Sequence, residues 1–144
     1  MGNTSNRAYL RLIDANLNRC REGLRVIEDT ARFVLKRERE YRQLRRFRHR
    51  LDLLTRAIYP ALLRERNASG DTGRTIAEGG RERLADVVGA NFRRIEESLR
   101  VLEEYGKLIS PTAAPALKAI RFAAYTLEKK FLINFVKDVI PARR

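Results

Sequence analysis

The stretch Ala15-Asn16-Leu17-Asn18-Arg19-Cys20-Arg21-Glu22-Gly23-Leu24-Arg25-Val26-Ile27-Glu28-Asp29 returns 75 residues later as Ala90-Asn91-Phe92-Arg93-Arg94-Ile95-Glu96-Glu97-Ser98-Leu99-Arg100-Val101-Leu102-Glu103-Glu104. Eight of the fifteen positions are identical, and the shared pattern is A-N-x-x-R-x-x-E-(G/S)-L-R-V-(I/L)-E-(D/E). Apolar residues in both copies recur three and four positions apart, the spacing of one helix face and not of a strand. From 8 to 38, Leu12, Ile13, Leu17, Cys20, Leu24, Ile27, Ala31, Val34 and Leu35 fall within an arc of roughly 140° on a helical wheel. A matching stripe runs through Val87, Val88, Phe92, Ile95, Leu99, Leu102 and Ile109.

Working outward, each copy is followed by a second helical stripe. Leu44, Phe47, Leu51, Leu54, Ile58 and Leu62 mark one over 41–65; Leu117, Ile120, Ala124, Leu127, Phe131, Phe135 and Val139 mark the other over 115–140. Phe47-Arg48-His49 is a weak echo of Ile120-Arg121-Phe122. Pro60 is expected to kink or end the second helix, Pro111 and Pro115 to mark breaks, and Pro141 to end the last helix. A hairpin alone would expose its apolar stripe, so two must pack together. The predicted fold is all-α and four-helix-bundle-like, two duplicated helical hairpins about a pseudo-two-fold axis. It is read as one domain over 1–144, with repeat 1 at about 8–66, a loop at about 67–80 and repeat 2 at about 81–140.

Length and composition agree with that. The chain has 144 residues, 44% hydrophobic and 34% charged, enough for one real core and too ordered a composition for a disordered tail. No apolar run reaches the roughly 18 residues of a membrane span, and the start lacks the apolar core of a secretory signal. Met1-Gly2 resembles a myristoylation start, but Asn6 stands where that pattern has Ser or Thr. One cysteine, Cys20, excludes an internal disulfide and suits a cytoplasmic location. One histidine, His49, leaves no zinc-type cluster and is expected to be a packed or capping residue. The net charge is +13, with +9 in residues 1–66 and +4 in 67–144. Such an excess attracts phosphate, whether of nucleic acid, a lipid surface or a metabolite.

A duplication that served only the core would keep only apolar spacing. This one also keeps Asn16/Asn91, Arg19/Arg94, Glu22/Glu97, Arg25/Arg100 and Glu28/Glu103. Asn16 and Asn91 fall inside the apolar arc, where an asparagine can fix register or meet a ligand. Arg19 and Arg94 fall at its edge beside the small Gly23 and Ser98, and a guanidinium there needs a partner such as phosphate. Glu22–Arg25 and Glu28–Arg32 are spaced as ordinary helix-surface pairs. The loop Gly70-Asp71-Thr72-Gly73-Arg74-Thr75 offers amides that can approach phosphate and a carboxylate for Mg²⁺, though it also fits a plain linker. No P-loop and no protein-kinase motif set is present. Residues 36–50, KREREYRQLRRFRHR, hold eight basic and two acidic residues and read as an amphipathic helix with a solvated basic face. A nucleic-acid module would carry its contacts outward, whereas the duplicated polar set points to the core edge. A scaffold or dimerisation domain is the other alternative, and nothing in the sequence excludes a homodimer.

Ile13 to Phe33, I-D-A-N-L-N-R-x-R-E-G-L-R-V-I-E-D-x-A-R-F, resembles the small helical domain of bacterial thiamine biosynthesis often fused in front of thiamine phosphate synthase. Ala90 to Lys107 and the closing R-x-x-x-Y-T-L-E-K, Arg121 to Lys129, resemble its second copy and its end. The resemblance implies a monofunctional hydroxymethylpyrimidine-phosphate kinase, making the diphosphate with ATP, and thiamine phosphate synthase as a partner; Mg²⁺ is expected to bridge the donor phosphates, while the apolar runs and the inward polar set point to neither membrane nor nucleic acid. No synthase domain follows within these 144 residues. The family's loop pattern R-D-x-x-x-D-V-G is departed from at Asn67 and Thr72, while Asp71 and Gly73 remain. On that reading Arg19, Arg94 and Asp71 are the catalytic candidates. Asn16, Asn91, Arg25, Arg100, Arg48, Arg121 and Gly73 are the candidates to bind substrate or phosphate. Asp71, Glu22 and Glu97 are the candidates to hold Mg²⁺.

Overall fold

The computed structural model describes the chain over residues 2–139 and its side chains over 5–135. Five α-helices account for most of it: α1 Gly2–Asp29, α2 Glu38–Thr55, α3 Tyr59–Glu65, α4 Leu84–Ile109 and α5 Ala114–Val139. No strand occurs among the described residues, so the all-α expectation holds. No helix among them is long and apolar enough to cross a membrane.

The expected second helix is two helices. It ends at Thr55, and Pro60 sits in the first turn of α3, where its missing N–H costs nothing. Pro115 likewise lies in the first turn of α5 and breaks nothing, while Pro111 opens a short 3-10 turn before it. Pro141 and the stripe position Val139 lie outside the residues whose side chains are described. The α1 stripe is also broken at Val34, though Ala31 and Leu35 on either side of it still pack into or against the core. After Asp29 the chain widens into a π-helical turn over Thr30–Val34, closed by Leu35 N–H donating to Thr30 O at 2.9 Å. The wider turn rotates the later positions about the helix axis, so Val34, expected inside, is 60% exposed and Phe33 62%. Lys36, at φ 52°, then turns the chain into α2.

The centre of the molecule is the α1–α4 contact. Tyr9 meets Tyr105 at 5.8 Å between ring centroids, and Gly23 lies against Asn91 and Ile95, so the two helices run antiparallel. Ile13, Leu17, Cys20, Leu24 and Ile27 from α1 and Val88, Phe92, Ile95, Leu99 and Leu102 from α4 are buried in one core. Leu44 and Leu51 of α2, Leu62 of α3, and Leu117, Ile120, Ala124, Leu127 and Phe131 of α5 complete it. Gly23 sets the closeness of the crossing: a Cβ there would lie 2.9 Å from Ile95 Cγ1 and 3.2 Å from the Asn91 carbonyl. Burial pushes the Cys20 thiol up to about 12, despite its hydrogen bond with Ser98, so it is inert packing.

Candidate functional site: a cationic cleft between the repeated motifs

The antiparallel crossing brings the polar edges of both motifs to one side. Asn16, Arg19 and Glu22 of α1 and Asn91, Arg94 and Glu97 of α4 line a common cleft of about 780 Å³. Each asparagine is turned onto its own helix, Asn16 Nδ2 donating to Leu12 O at 2.9 Å and Asn91 Nδ2 to Val87 O at 2.8 Å. Asn16 Oδ1 accepts from Arg19 Nη1 at 3.3 Å. Across the cleft Arg94 Nη2 donates to Glu22 at 3.3 Å, on side chains 39% and 65% exposed. Glu22 therefore reaches the other motif, not Arg25 as its spacing suggests.

The segment 66–83 between α3 and α4 forms the other wall. Its anchor is Arg66, whose Nε and Nη2 each donate to Asp14 at 2.8 Å. Asp14 is 4% exposed, and this pairing holds the Arg66 guanidinium above its ordinary value. Beyond the anchor the loop is built from short side chains. Asn67 Oδ1 accepts from Gly70 N–H at 2.9 Å and from Ser69 Oγ at 3.3 Å; Asp71 Oδ1 accepts from Gly73 N–H at 2.8 Å, opening a 3-10 turn over Thr72–Thr75. A Cβ at Gly70 would lie 2.4 Å from Asn67 Nδ2, so a larger residue there would push the Asn67 side chain out of this turn. Asn67 thus does the turn-building work that an aspartate also performs at such a position.

The chamber under this loop measures about 830 Å³ and shares Asn16, Arg19, Glu22, Glu78, Arg94 and Val101 with the first, so the two form one cleft. Seven arginines (Arg11, Arg19, Arg66, Arg74, Arg81, Arg93, Arg94) line it, against the five carboxylates Asp14, Glu22, Asp71, Glu78 and Glu97. Each chamber has the size of a small-ligand site, and the excess of guanidinium suits polyanions.

Of the residues proposed from sequence, the cleft brings together Asn16, Asn91, Arg19, Arg94, Glu22, Glu97, Asp71 and Gly73. It does not include Arg25, Arg100, Arg48 or Arg121. Arg48 Nε and Nη2 donate to Glu28, at 2.8 and 3.1 Å, and Arg121 donates to both oxygens of Glu103. Glu28 and Glu103 are 1% and 2% exposed, and so the two arginines pin α2 to α1 and α5 to α4. Arg25 and Arg100 lie at the exposed margin of the same clusters, paired with Asp29 at 3.4 Å and Glu104 at 2.9 Å. No Glu28–Arg32 pair forms among the described residues, because Arg32 lies over the rings of Phe33 and Tyr41 after the π turn. Among the described residues no three His, Cys, Asp or Glu converge on one point, so Asp71, Glu22 and Glu97 do not make a protein-only metal cage. His49 and most of the basic stretch 36–50 are exposed on α2, away from the cleft.

The sequence reading named the loop that carries Arg74 but missed Arg66, Glu78, Arg81, Arg11 and Arg93. Asp14 stands outside the apolar arc of α1 on the wheel, so the helical period gave no signal that it is buried (4% exposed) and takes Arg66 as its cation.

These features define an all-α domain with a cationic cleft between two copies of one motif. The ThiD2 family profile matches residues 11–130, and the chain belongs to the ThiD2 family. It is similar to the thiamine-phosphate synthase of Synechococcus sp. (strain CC9605), 46% identical over 137 residues, covering 93% of this chain and 37% of the relative. It is also similar to the thiamine-phosphate synthases of Nostoc punctiforme (42% over 125 residues, 85% of this chain and 35% of the relative) and Rhodopirellula baltica (37% over 129 residues, 87% and 34%). The chain spans about a third of the length of these curated relatives. No solved structure matches it.

Proposed function

We propose that this domain acts in thiamine biosynthesis, transferring the γ-phosphoryl group of ATP to hydroxymethylpyrimidine phosphate to give the diphosphate and ADP. The observation that carries the reading is the gathering of Asn16, Arg19, Asn91 and Arg94 from both motif copies around one arginine-rich cleft. The thiamine-phosphate synthase relatives, which contain the same stretch, support the pathway and make a synthase the partner expected to use the product.

The chemistry asks little acid–base work of the protein. The acceptor phosphate is largely dianionic near neutral pH, its second pKa being about 6. One of its oxygens attacks the γ-phosphorus, a new P–O–P link forms, and the bond to the ADP oxygen breaks. Neutralising two polyanions and holding them in line is then most of the catalysis. On this reading Arg19 and Arg94, one from each motif, would do this between the two phosphates. Among the described residues Arg94 has only the exposed Glu22 to leave. Mg²⁺ would shield the donor phosphates, and Glu22, Glu97 or Asp71 would hold it. This fits an ion that takes one or two carboxylates together with substrate phosphates rather than a protein cage.

The test is diphosphate formation from the pyrimidine phosphate with ATP and Mg²⁺, followed by product chromatography. Folded protein that yields no diphosphate refutes the activity. A duplex-DNA titration run alongside, if it showed salt-sensitive binding unmoved by Arg19→Ala or Arg94→Ala, would favour the nucleic-acid alternative.

A further inference from the structure

The offset that aligns the motifs also aligns their flanks. Arg11, Asp14, Ala15 and Asn18 of α1 stand over Asp86, Gly89, Ala90 and Arg93 of α4. On α1 these positions line the loop side of the cleft, where Arg66 covers Asp14. On α4 the matching positions line a separate cavity of about 480 Å³, walled by Leu132 and Phe135 of α5 and rimmed by Arg81, Arg83 and Arg93. Ala90, Arg81 and Arg93 belong to both this cavity and the cleft, so one opens into the other.

Of these four positions only Ala15/Ala90 is unchanged, and the change that opens space is the one at Asp14/Gly89. Where α1 carries Asp14 and so holds a guanidinium over itself, α4 carries Gly89. Glycine inside a helix is unfavourable, and at Gly23 a close helix crossing explains it. Among the described residues no such close contact exists at Gly89, where a Cβ would meet only Leu132 Cδ1, at 3.8 Å. What the glycine leaves is space, bounded by apolar side chains on one side and guanidinium groups on the other. A flat ring gains from both surfaces, by apolar burial and by stacking under guanidinium. A phosphate attached to that ring would reach the cleft past Arg93.

We propose that the cavity between Gly89, Leu132 and Phe135 is the ring subsite for a phosphorylated nitrogen heteroaromatic ligand whose phosphates lie in the arginine cleft. This rests on the phosphoryl-transfer reading above. The ring can come from either of two sources, the adenine of the donor or the aminopyrimidine of the acceptor.

The test titrates ATP, hydroxymethylpyrimidine phosphate and ringless inorganic triphosphate into wild type, Gly89→Ala, Gly89→Leu and Phe135→Ala by calorimetry, with circular dichroism to check folding. Gly89→Leu is expected to weaken one ring-bearing ligand tenfold or more, and inorganic triphosphate less than twofold. Gly89→Ala should give a smaller loss, and Phe135→Ala a severalfold loss, for the same ligand. Whichever ligand falls identifies the source of the ring. A folded Gly89→Leu that binds both ring-bearing ligands as wild type does overturns the subsite. Should that variant not fold, unchanged affinities in Phe135→Ala overturn it. Ring-ligand binding that responds to these variants without any diphosphate product sinks the kinase reading and leaves the subsite standing. Wild type that binds triphosphate, and neither ring-bearing ligand more tightly, sinks the subsite and leaves the phosphate cleft.

Discussion

Replacing Arg121 by methionine separates a structural arginine from a phosphate clamp. Glu103 is buried on α4, its side chain 3% exposed, and Arg121 from α5 holds both its oxygens from a side chain 12% exposed. Glu103 and Tyr125 together push the Arg121 pKa above its usual value, so the guanidinium stays charged at any working pH. Among the described residues the other cation at Glu103 is Arg100, 3.9 Å away on a side chain 56% exposed. A carboxylate stranded by loss of its buried partner costs about 3–5 kcal/mol. A distant, half-solvated arginine offsets no more than about 1 kcal/mol of that. Arg121→Met is therefore expected to lose about 2–4 kcal/mol in urea unfolding at pH 7. At about 3 °C per kcal/mol for a domain of this size, Tm falls by roughly 6–12 °C. The double variant Arg121→Met/Glu103→Leu removes the stranded charge and should recover most of the loss. At 20 °C, where the single variant is still folded, kcat and KM for diphosphate formation should stay within about twofold of wild type. The reasoning is refuted if Arg121→Met keeps the wild-type Tm while KM for ATP or the pyrimidine phosphate rises tenfold.

Arg19→Ala and Arg94→Ala should show the opposite pattern, with about 1 kcal/mol or less lost in urea melts and kcat/KM down by two orders of magnitude or more. Full rates in both variants would remove these arginines from the site. Glu96, 7% exposed, has a buried carboxylate oxygen with no hydrogen-bond donor; burial and the facing Glu128 raise its pKa to about 9, against the weaker pull of Arg93 and with a further push from Glu97. The folded state thus keeps a proton that the unfolded chain releases near 4.5. The stability this gives is present at low pH and is lost as pH rises toward 9. Glu96→Gln, whose amide can donate in place of the proton, should flatten the fall between pH 5 and 9 by up to about 1.4 kcal/mol per pH unit, and matching wild-type and variant slopes would discard the proton kept on Glu96. Gly23→Ala gains about 1 kcal/mol of helix propensity and should still destabilise by about 1–2 kcal/mol net, because Asn91 backbone and Ile95 must give way. A variant more stable than wild type would show the crossing to be loose.

Much of this architecture was readable from period and repeat. Leu17, Leu24 and Ile27, and with them Phe92, Leu99 and Leu102, lie where a 3.6-residue period puts them, and all are buried. The misreadings came where backbone geometry departs from that period. One extra residue in the turn at Thr30–Val34 is enough to swing Val34 into solvent, and no side-chain pattern announces it. Pro60 was ambiguous for a similar reason. Proline in a helical pattern fits either a kink inside one helix or the first turn of the next, and the choice depends on how 56–58 turn the chain.

Roles were harder to read than positions. The repeat keeps Arg19, Arg25 and Glu28 together, and repetition marks a structural ion pair as strongly as it marks a ligand contact. The exposure of the acid separates them. Glu28 and Glu103 lie at helix seams, almost without solvent, and a carboxylate there must take a cation across the seam. That requirement commits Arg48 and Arg121 to holding helices together. Glu22 is 65% exposed, so water can replace Arg94 on it at small cost. An arginine with a solvated partner can turn to an incoming phosphate, and one with a buried partner cannot. Sequence reports which acids sit near which arginines on a wheel, but the seam that buries Glu28 and leaves Glu22 wet exists only once the second helix of each hairpin is packed.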